Sequence, residues 1–168
     1  MDPFKWKLPK SKLRTTLNFI TLATLVSAII YGIIVYQKLP EKIPTHFNMK
    51  GEADNWGGKG SIFMVPLTLS SSILIAYLIS RFGHYLHSKE LTKADKLIFI
   101  NNSIYKAMLN VIIALTSFYS VWMMYRLALG KYAFEPWGFI FLLGGIIFVV
   151  VLLVIKNYQI KKRSKIDT

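Results

Sequence analysis

The chain has 168 residues and no cysteine, 54 % of its residues are hydrophobic, and its formal net charge is +13. This length allows one domain, and the hydrophobic content with a mean hydropathy of +0.43 is too high for an ordinary soluble protein. The absence of cysteine excludes a disulfide framework, a thiolate metal site and a cysteine nucleophile. The basic residues lie beside long apolar runs, which is typical of membrane proteins, so we predict no nucleic-acid partner.

Four apolar runs of the chain are long enough to cross a membrane. The first holds 20 residues, and at about 1.5 Å per residue this length matches a hydrocarbon core of roughly 30 Å. Thr24, Ala28 and Gly32 recur at every fourth position and predict a small-residue stripe for close helix packing. We predict an all-α membrane protein, a single transmembrane domain over 1–168 that forms a four-transmembrane-helix bundle. The predicted spans are 17–36, 62–79, 104–127 and 138–155.

The connector between the second and third spans contains two short patterns. Thr92 and Asp95 form a loose capping-box pattern for a helix that continues into the third span. His84 and His87 lie on one helix face at i, i+3, a spacing that two metal ligands can use. Histidines are common at membrane interfaces. We therefore predict no metal site and no cofactor.

The distribution of positive charge predicts the orientation in the membrane. Fifteen of the 21 Lys and Arg residues lie in the N-terminal segment, the 81–106 connector and the C-terminal segment. The other six lie in the 38–59 loop and near the connection between the third and fourth spans. An excess of Lys and Arg marks the cytoplasmic side of a multi-pass protein. We predict a cell-membrane protein with both termini in the cytoplasm and the loop between the first two spans outside.

The 39–61 loop, LPEKIPTHFNMKGEADNWGGKGS, is the longest polar stretch between two apolar runs. Pro40 and Pro44 each fix φ near −65° and favour extended conformations in the residues before them. Gly51 can supply the positive φ that a tight turn requires. We therefore predict an ordered extracytoplasmic loop, similar to a β-hairpin, in which these three residues have structural roles.

The polar side chains of this loop form the candidate site. His46 and Asn48 share a face if the segment is extended, because successive side chains of a strand point to opposite faces. We predict that they converge with Asp54 on one side of the loop and that Trp56 packs at its base. Asn and Asp side chains also bond backbone groups in turns, so a purely structural role explains them equally well. The candidate ligand-binding residues are His46, Asn48, Asp54 and Trp56.

The pattern Leu-Pro-x-x-Ile-Pro-x-His-Phe-Asn-x-x-Gly-x-x-Asp-x-Trp-x-x-Lys, from Leu39 to Lys59, resembles the signature loop of a bacterial and archaeal membrane-protein family of unknown function. That family includes the N-terminal part of immunity proteins against the Sdp cannibalism toxin. Its members often have proline before the aspartate, where this chain has Ala53. The resemblance covers the first two spans and their loop. It implies a multispanning protein whose outer loop contacts a peptide, lipid or envelope ligand, and it implies no established reaction.

Two classes of function remain open. The first is an immunity-like or ligand-binding membrane protein, whose partners are the lipid bilayer and a toxin peptide or envelope ligand. The second is an outer-leaflet membrane enzyme that uses His46 and Asp54 as acid and base groups. Few carboxylates and no nucleophile motif are present, so we favour the binding protein and assign no catalytic residue. A transporter is disfavoured because no predicted span carries a charged residue well inside it.

Overall fold

The structure, a computed structural model, describes residues 8–48, 50–82, 91–130 and 136–166. The helices are α1 (Lys12–Tyr36), α2 (Met64–Phe82), α3 (Lys93–Ala128) and α4 (Trp137–Ile166), and a 3-10 turn, Lys59–Phe63, precedes α2. The strands β1 (Lys42–Phe47) and β2 (Ala53–Gly58) lie between α1 and the 3-10 turn.

All four helices are long and apolar enough to cross a membrane, so the chain is a multi-pass membrane protein. Within the described residues, the prediction of four membrane-length helices is confirmed. The all-α class needs one correction, because the 39–61 loop contains a small antiparallel sheet. Pairing in this sheet satisfies backbone N–H and C=O groups that a long polar loop would otherwise leave to water.

Side-chain caps set where α1 and α3 begin. Ser11 accepts a hydrogen bond on Oγ from the backbone N–H of Arg14 at 3.4 Å. The backbone N–H of Asp95 donates to Thr92 Oγ1 at 3.1 Å, and the backbone N–H of Thr92 donates to Asp95 Oδ2 at 3.0 Å. This capping box confirms the predicted pattern and starts α3 well before the predicted third span. From Lys93 onward the connector therefore continues into the third span as one helix of 36 residues.

α3 is the central helix, because it contacts each of the other three. The rings of Tyr31 in α1 and Phe118 in α3 lie 5.6 Å apart, and Arg14 bonds Ser103, so α1 and α3 run parallel. Tyr119 of α3 packs on Phe139 of α4, with ring centroids 4.9 Å apart. Within the described residues α4 contacts no helix other than α3. The four helices therefore do not close into a symmetrical bundle, and a cleft separates α2 from α4.

The small-residue stripe of α1 is a packing surface, as predicted. Ala28 is 0 % exposed, Gly32 is buried and Thr24 is half-buried. A Cβ atom added at Gly32 would lie 2.6 Å from Cε1 of Phe63, so glycine is required for this close approach. Helices in lipid associate through such close packing, because lipid tails offer no hydrophobic gain for helix contact.

The hairpin is fixed to one end of the helices by a buried apolar cluster. Ile43 of β1 and Ile62 of the 3-10 turn are both 0 % exposed. They pack with residues from the end of α1 and from the last turns of α3, which brings the hairpin over the helix ends. We call this the hairpin end, and the opposite end, where α1 begins and α4 finishes, the basal end. The cluster consists of Val35, Leu39, Ile43, Ile62 and Val121.

Candidate functional site

The geometry of the hairpin depends on irregular strand pairing. β1 and β2 are antiparallel, and their register runs from Lys42 opposite Gly58 to Phe47 opposite Ala53. The register shifts on both sides of His46, so each strand holds one extra residue, Thr45 in β1 and Asp54 in β2. An extra residue in a strand bends it and re-aims the neighbouring side chains. The two shifts compensate each other, so the register is the same before and after His46, and His46 stays close to Asp54.

His46 and Asp54 form a close polar pair on the surface of the hairpin. Nδ1 of His46 lies 2.6 Å from Oδ1 of Asp54, and the two side chains are 67 % and 42 % exposed. The predicted convergence of these two residues is confirmed, whereas their ligand-binding role stays a prediction. An exposed pair of this kind contributes at most about 1 kcal/mol to stability. The contact orients the imidazole through Nδ1, so Nε2 is the nitrogen that remains for a ligand.

Asn48 organises the turn between the strands. Its Oδ1 accepts hydrogen bonds from the backbone N–H groups of Lys50 at 2.9 Å and Glu52 at 3.0 Å. Its Nδ2 donates to Glu52 Oε2 at 2.9 Å, and its backbone carbonyl accepts from Gly51 at 2.9 Å. With these bonds Asn48 stabilises the turn, a structural role that asparagine often has. None of the bonds involves His46 or Asp54. The predicted cluster of three side chains is therefore a pair beside a separate turn residue.

Gly51 has a φ of 80° at this turn, as predicted from its position. We expect Gly51→Ala to lower the free energy of unfolding by about 1–2 kcal/mol, because an L residue with a Cβ is strained in the left-handed region. Gly60→Ala is the matched control, since its φ lies outside that region and an added Cβ meets nothing within 4 Å. Thermal unfolding in detergent measures both variants. Equal midpoints for the two variants would contradict the strain at Gly51.

The two prolines and the tryptophan differ in burial. Pro44 is buried and lies opposite Trp56 in the strand register, whereas Pro40 is exposed. Trp56 is 55 % exposed, so the prediction that it packs at the base of the hairpin is wrong. A large amphipathic side chain in this position is available for contact with another molecule.

An ion pair that the sequence analysis missed closes the base of the hairpin. Nζ of Lys59 lies 2.9 Å from Oε1 of Glu41, and the Lys59 backbone N–H donates to the Glu41 carbonyl at 3.1 Å. The same Nζ lies 5.4 Å from the centroid of the Tyr36 ring at the end of α1. Glu41 and Lys59 are 18 residues apart, so only the strand pairing brings them together. The only sequence signal was Lys59 as the last position of the loop pattern.

An apolar groove lies beneath β1, in the cleft between α2 and α4. Its volume is about 400 Å³, within the range of small-molecule sites. Met64, Met123 and Met124 line it, and flexible thioether side chains adapt to ligands of different shape. No sequence pattern marks this groove, because its walls come from separate segments of the chain. The remaining lining residues are Pro44, Thr45, Phe47, Ser61, Val65, Ser120, Leu127 and Phe139.

Metal-ligating side chains are sparse near the hairpin. Among the residues that the structure describes, no three His, Asp or Glu side chains group closely enough to hold a metal ion. His84 and His87, the histidines with ligand-like spacing, lie outside the described residues. The site consists of an exposed polar pair on one side of β1 and an apolar groove beneath the same strand.

Comparison with known proteins finds a family match over the hairpin and parts of the helices beside it. Residues 23–69 match a protein family described as a domain of unknown function (DUF1648). An uncharacterized protein of Archaeoglobus fulgidus is 34 % identical over 65 residues, which cover 39 % of this chain. The match spans 34 % of that relative's own length. No solved structure matches the chain. These findings support a relationship to a membrane-protein family of unknown function.

Proposed function

We propose that the protein is an integral membrane protein of immunity-like type, whose hairpin binds an amphipathic toxin peptide at the outer face of the cell membrane. The observation that carries this proposal is the arrangement around β1. Thr45 and Phe47 line the apolar groove, and His46 between them belongs to the exposed polar pair. A peptide lying across β1 would contact apolar and polar groups at once.

The apolar groove and the His46–Asp54 pair would contribute to peptide binding in different ways. Burial of apolar side chains in the groove contributes about 25 cal/mol for each Å² removed from water. Polar and aromatic contacts come from His46 Nε2, Asp54 and the exposed Trp56 indole. These contacts contribute specificity rather than a large buried apolar area. The groove opens beside α2 and α4, whose apolar faces suit contact with lipid. An amphipathic peptide that enters the membrane surface would therefore meet the groove directly.

The orientation predicted from positive charge supports an outer location of the hairpin. The hairpin and its flanking residues carry few Lys and Arg, whereas the basal end carries most of them. With this orientation the site faces the envelope, where a toxin peptide approaches. The resemblance of the loop to that of Sdp immunity proteins points to the same class of ligand.

A survival assay tests this function. Sensitive bacteria expressing the chain are exposed to an Sdp-type peptide toxin, and we expect the inhibitory concentration to rise. His46→Gln should return it to the level of cells without the protein, because an amide cannot reproduce both imidazole nitrogens. Lys50→Gln, at the exposed hairpin turn, is the control and should retain protection. Equal protection by the His46→Gln variant at equal membrane levels would make the pair a structural feature and oppose the proposal.

The His46–Asp54 contact also favours a second candidate, an outer-leaflet enzyme. An imidazole oriented by a carboxylate through Nδ1 can accept a proton on Nε2 and act as a general base. His46 would be the base and Asp54 its orienting partner. Purified protein incubated with envelope lipids and peptides separates the two functions. Release of a soluble product by wild type and not by His46→Gln supports the enzyme, and protection without product supports the binding protein.

A further inference from the structure

The basal end of the helices carries far more basic than acidic side chains. Among the residues whose side chains the structure describes, eleven Lys and Arg lie there, against one acidic residue, Asp95. Asp95 is engaged with Thr92 in the cap of α3. The hairpin end holds the other three described carboxylates, Glu41, Glu52 and Asp54. The excess of positive charge is therefore concentrated at one end of the molecule.

Arg14 has the best-defined contacts among these cations. Its Nη1 donates to Ser103 Oγ at 3.1 Å, and its Nη2 donates to the carbonyl oxygen of Pro9 at 2.9 Å. Both acceptors are neutral, so they hold the guanidinium in place without balancing its charge. A guanidinium has five N–H donors, and its planar fork matches the oxygens of a phosphate. Arg14 is thus positioned to bind an anion at the junction of α1 and α3.

A cluster of amides continues this polar layer from α3 to α4. Asn101 Nδ2 donates to Asn157 Oδ1 at 2.8 Å, and Asn157 Nδ2 donates to Asn102 Oδ1 at 2.7 Å. The cluster directly precedes Ser103, the residue that holds Arg14, and Lys156 beside it on α4 is exposed. Polar groups of three helices therefore meet at one level of the basal end.

The length of α4 places this level at the lipid headgroups. A helix of 30 residues is about 45 Å long, and this equals the 40–45 Å thickness of a bilayer with its headgroups. Trp137 begins α4, and tryptophan prefers the membrane–water interface. The residues after Lys156 then lie about 15 Å beyond the hydrocarbon core at most, within the opposite headgroup layer and its surface.

We infer that the basal end binds the headgroups of anionic phospholipids, with Arg14 as the principal phosphate contact. Charge complementarity and depth both favour this partner. At the depth derived from the length of α4, Arg14 lies in the headgroup layer, where lipid phosphates are found, whereas a soluble polyanion approaches from outside that layer. Each Lys or Arg near an anionic membrane surface raises the binding constant for that surface about fivefold. Several such residues together therefore retain anionic lipids stably.

Reconstitution in nanodiscs tests the inference. The full chain is placed in phosphatidylcholine alone or in phosphatidylcholine with phosphatidylglycerol, and retained lipids are counted by native mass spectrometry after release. We expect wild type to retain phosphatidylglycerol in preference to phosphatidylcholine. Arg14→Gln should reduce this preference about fivefold, and Arg14→Lys should restore part of it, because it returns the charge without the fork. Lys50→Gln at the hairpin is the matched charge control and should retain the wild-type preference.

Several outcomes would overturn the inference. Equal retention of phosphatidylglycerol by wild type and Arg14→Gln would remove Arg14 from the site. A thermal shift produced equally by soluble glycerol phosphate, without anionic lipid, would assign the site to a free phosphate. If Arg14→Gln does not insert, a triple variant of Lys161, Lys162 and Arg163 to glutamine replaces it, since these side chains are exposed. If that variant retains as much phosphatidylglycerol as wild type, the basic surface is not the binding element.

Discussion

Ile43→Asp should release the hairpin from the helices and abolish any function that depends on it. Ile43 is 0 % exposed in the cluster that joins β1 to the ends of α1 and α3. Burial of an unpaired carboxylate costs several kcal/mol, so the hairpin would separate from the helices rather than bury the charge. Limited proteolysis with chymotrypsin at Phe47 and Trp56, followed over time in reconstituted protein, measures this release.

Two variants make this experiment specific. Lys42→Asp introduces the same carboxylate at the adjacent exposed position and should leave the cleavage rate close to that of wild type. Ile43→Ala keeps the position apolar and should lower the free energy of unfolding by about 2–5 kcal/mol, through lost burial and the cavity that remains. Cleavage of Ile43→Asp as slow as that of Lys42→Asp would show that Ile43 does not anchor the hairpin.

Ala28→Leu should disrupt the packing of α1 and lower the free energy of unfolding by about 1–3 kcal/mol. Ala28 is 0 % exposed, and α1 shares its most extensive interface with α3. A leucine there needs space for three more carbon atoms in an interface that small residues keep close. The thermal unfolding midpoint in one detergent, together with the shape of the size-exclusion peak, measures the effect.

Ala23→Leu is the matched control for this substitution. Ala23 lies on the same helix but is exposed, so a leucine there meets lipid or detergent. We expect its midpoint to stay near that of wild type, and leucine is also a good helix former. Equal destabilisation by both variants would mean that the α1 surface is not specifically packed at Ala28.

Predictions from the sequence were correct where they depended on residues close together in the chain. Gly51 takes a positive φ because a turn of this length needs one, and glycine is the residue that allows it. Thr92 and Asp95 cap α3 because their spacing brings the two side chains onto each other's backbone N–H groups. Each of these features depends on residues within a few positions of one another, so the sequence alone contains the information.

The same reasoning assigned Asn48 and Trp56 to positions that the structure does not support. Alternation along a strand predicted that Asn48 would join His46, but β1 ends at Phe47, so Asn48 lies in the turn. Asn48 binds backbone groups of the turn instead, and Trp56 remains exposed. The residue pattern does not mark where a strand ends, because that end depends on the hydrogen bonds of the turn and of the partner strand.

The amino-acid pattern alone predicts the membrane-length helices, the position of the polar loop and the packing stripe of α1. These follow from the length of apolar runs and from helical spacing, since a helix satisfies its backbone hydrogen bonds within its own segment. The Glu41–Lys59 pair, the apolar groove and the layer around Arg14 became visible only in the folded chain. Each joins segments that are distant in the chain, and their meeting depends on the register of the strands and the packing of three helices around α3.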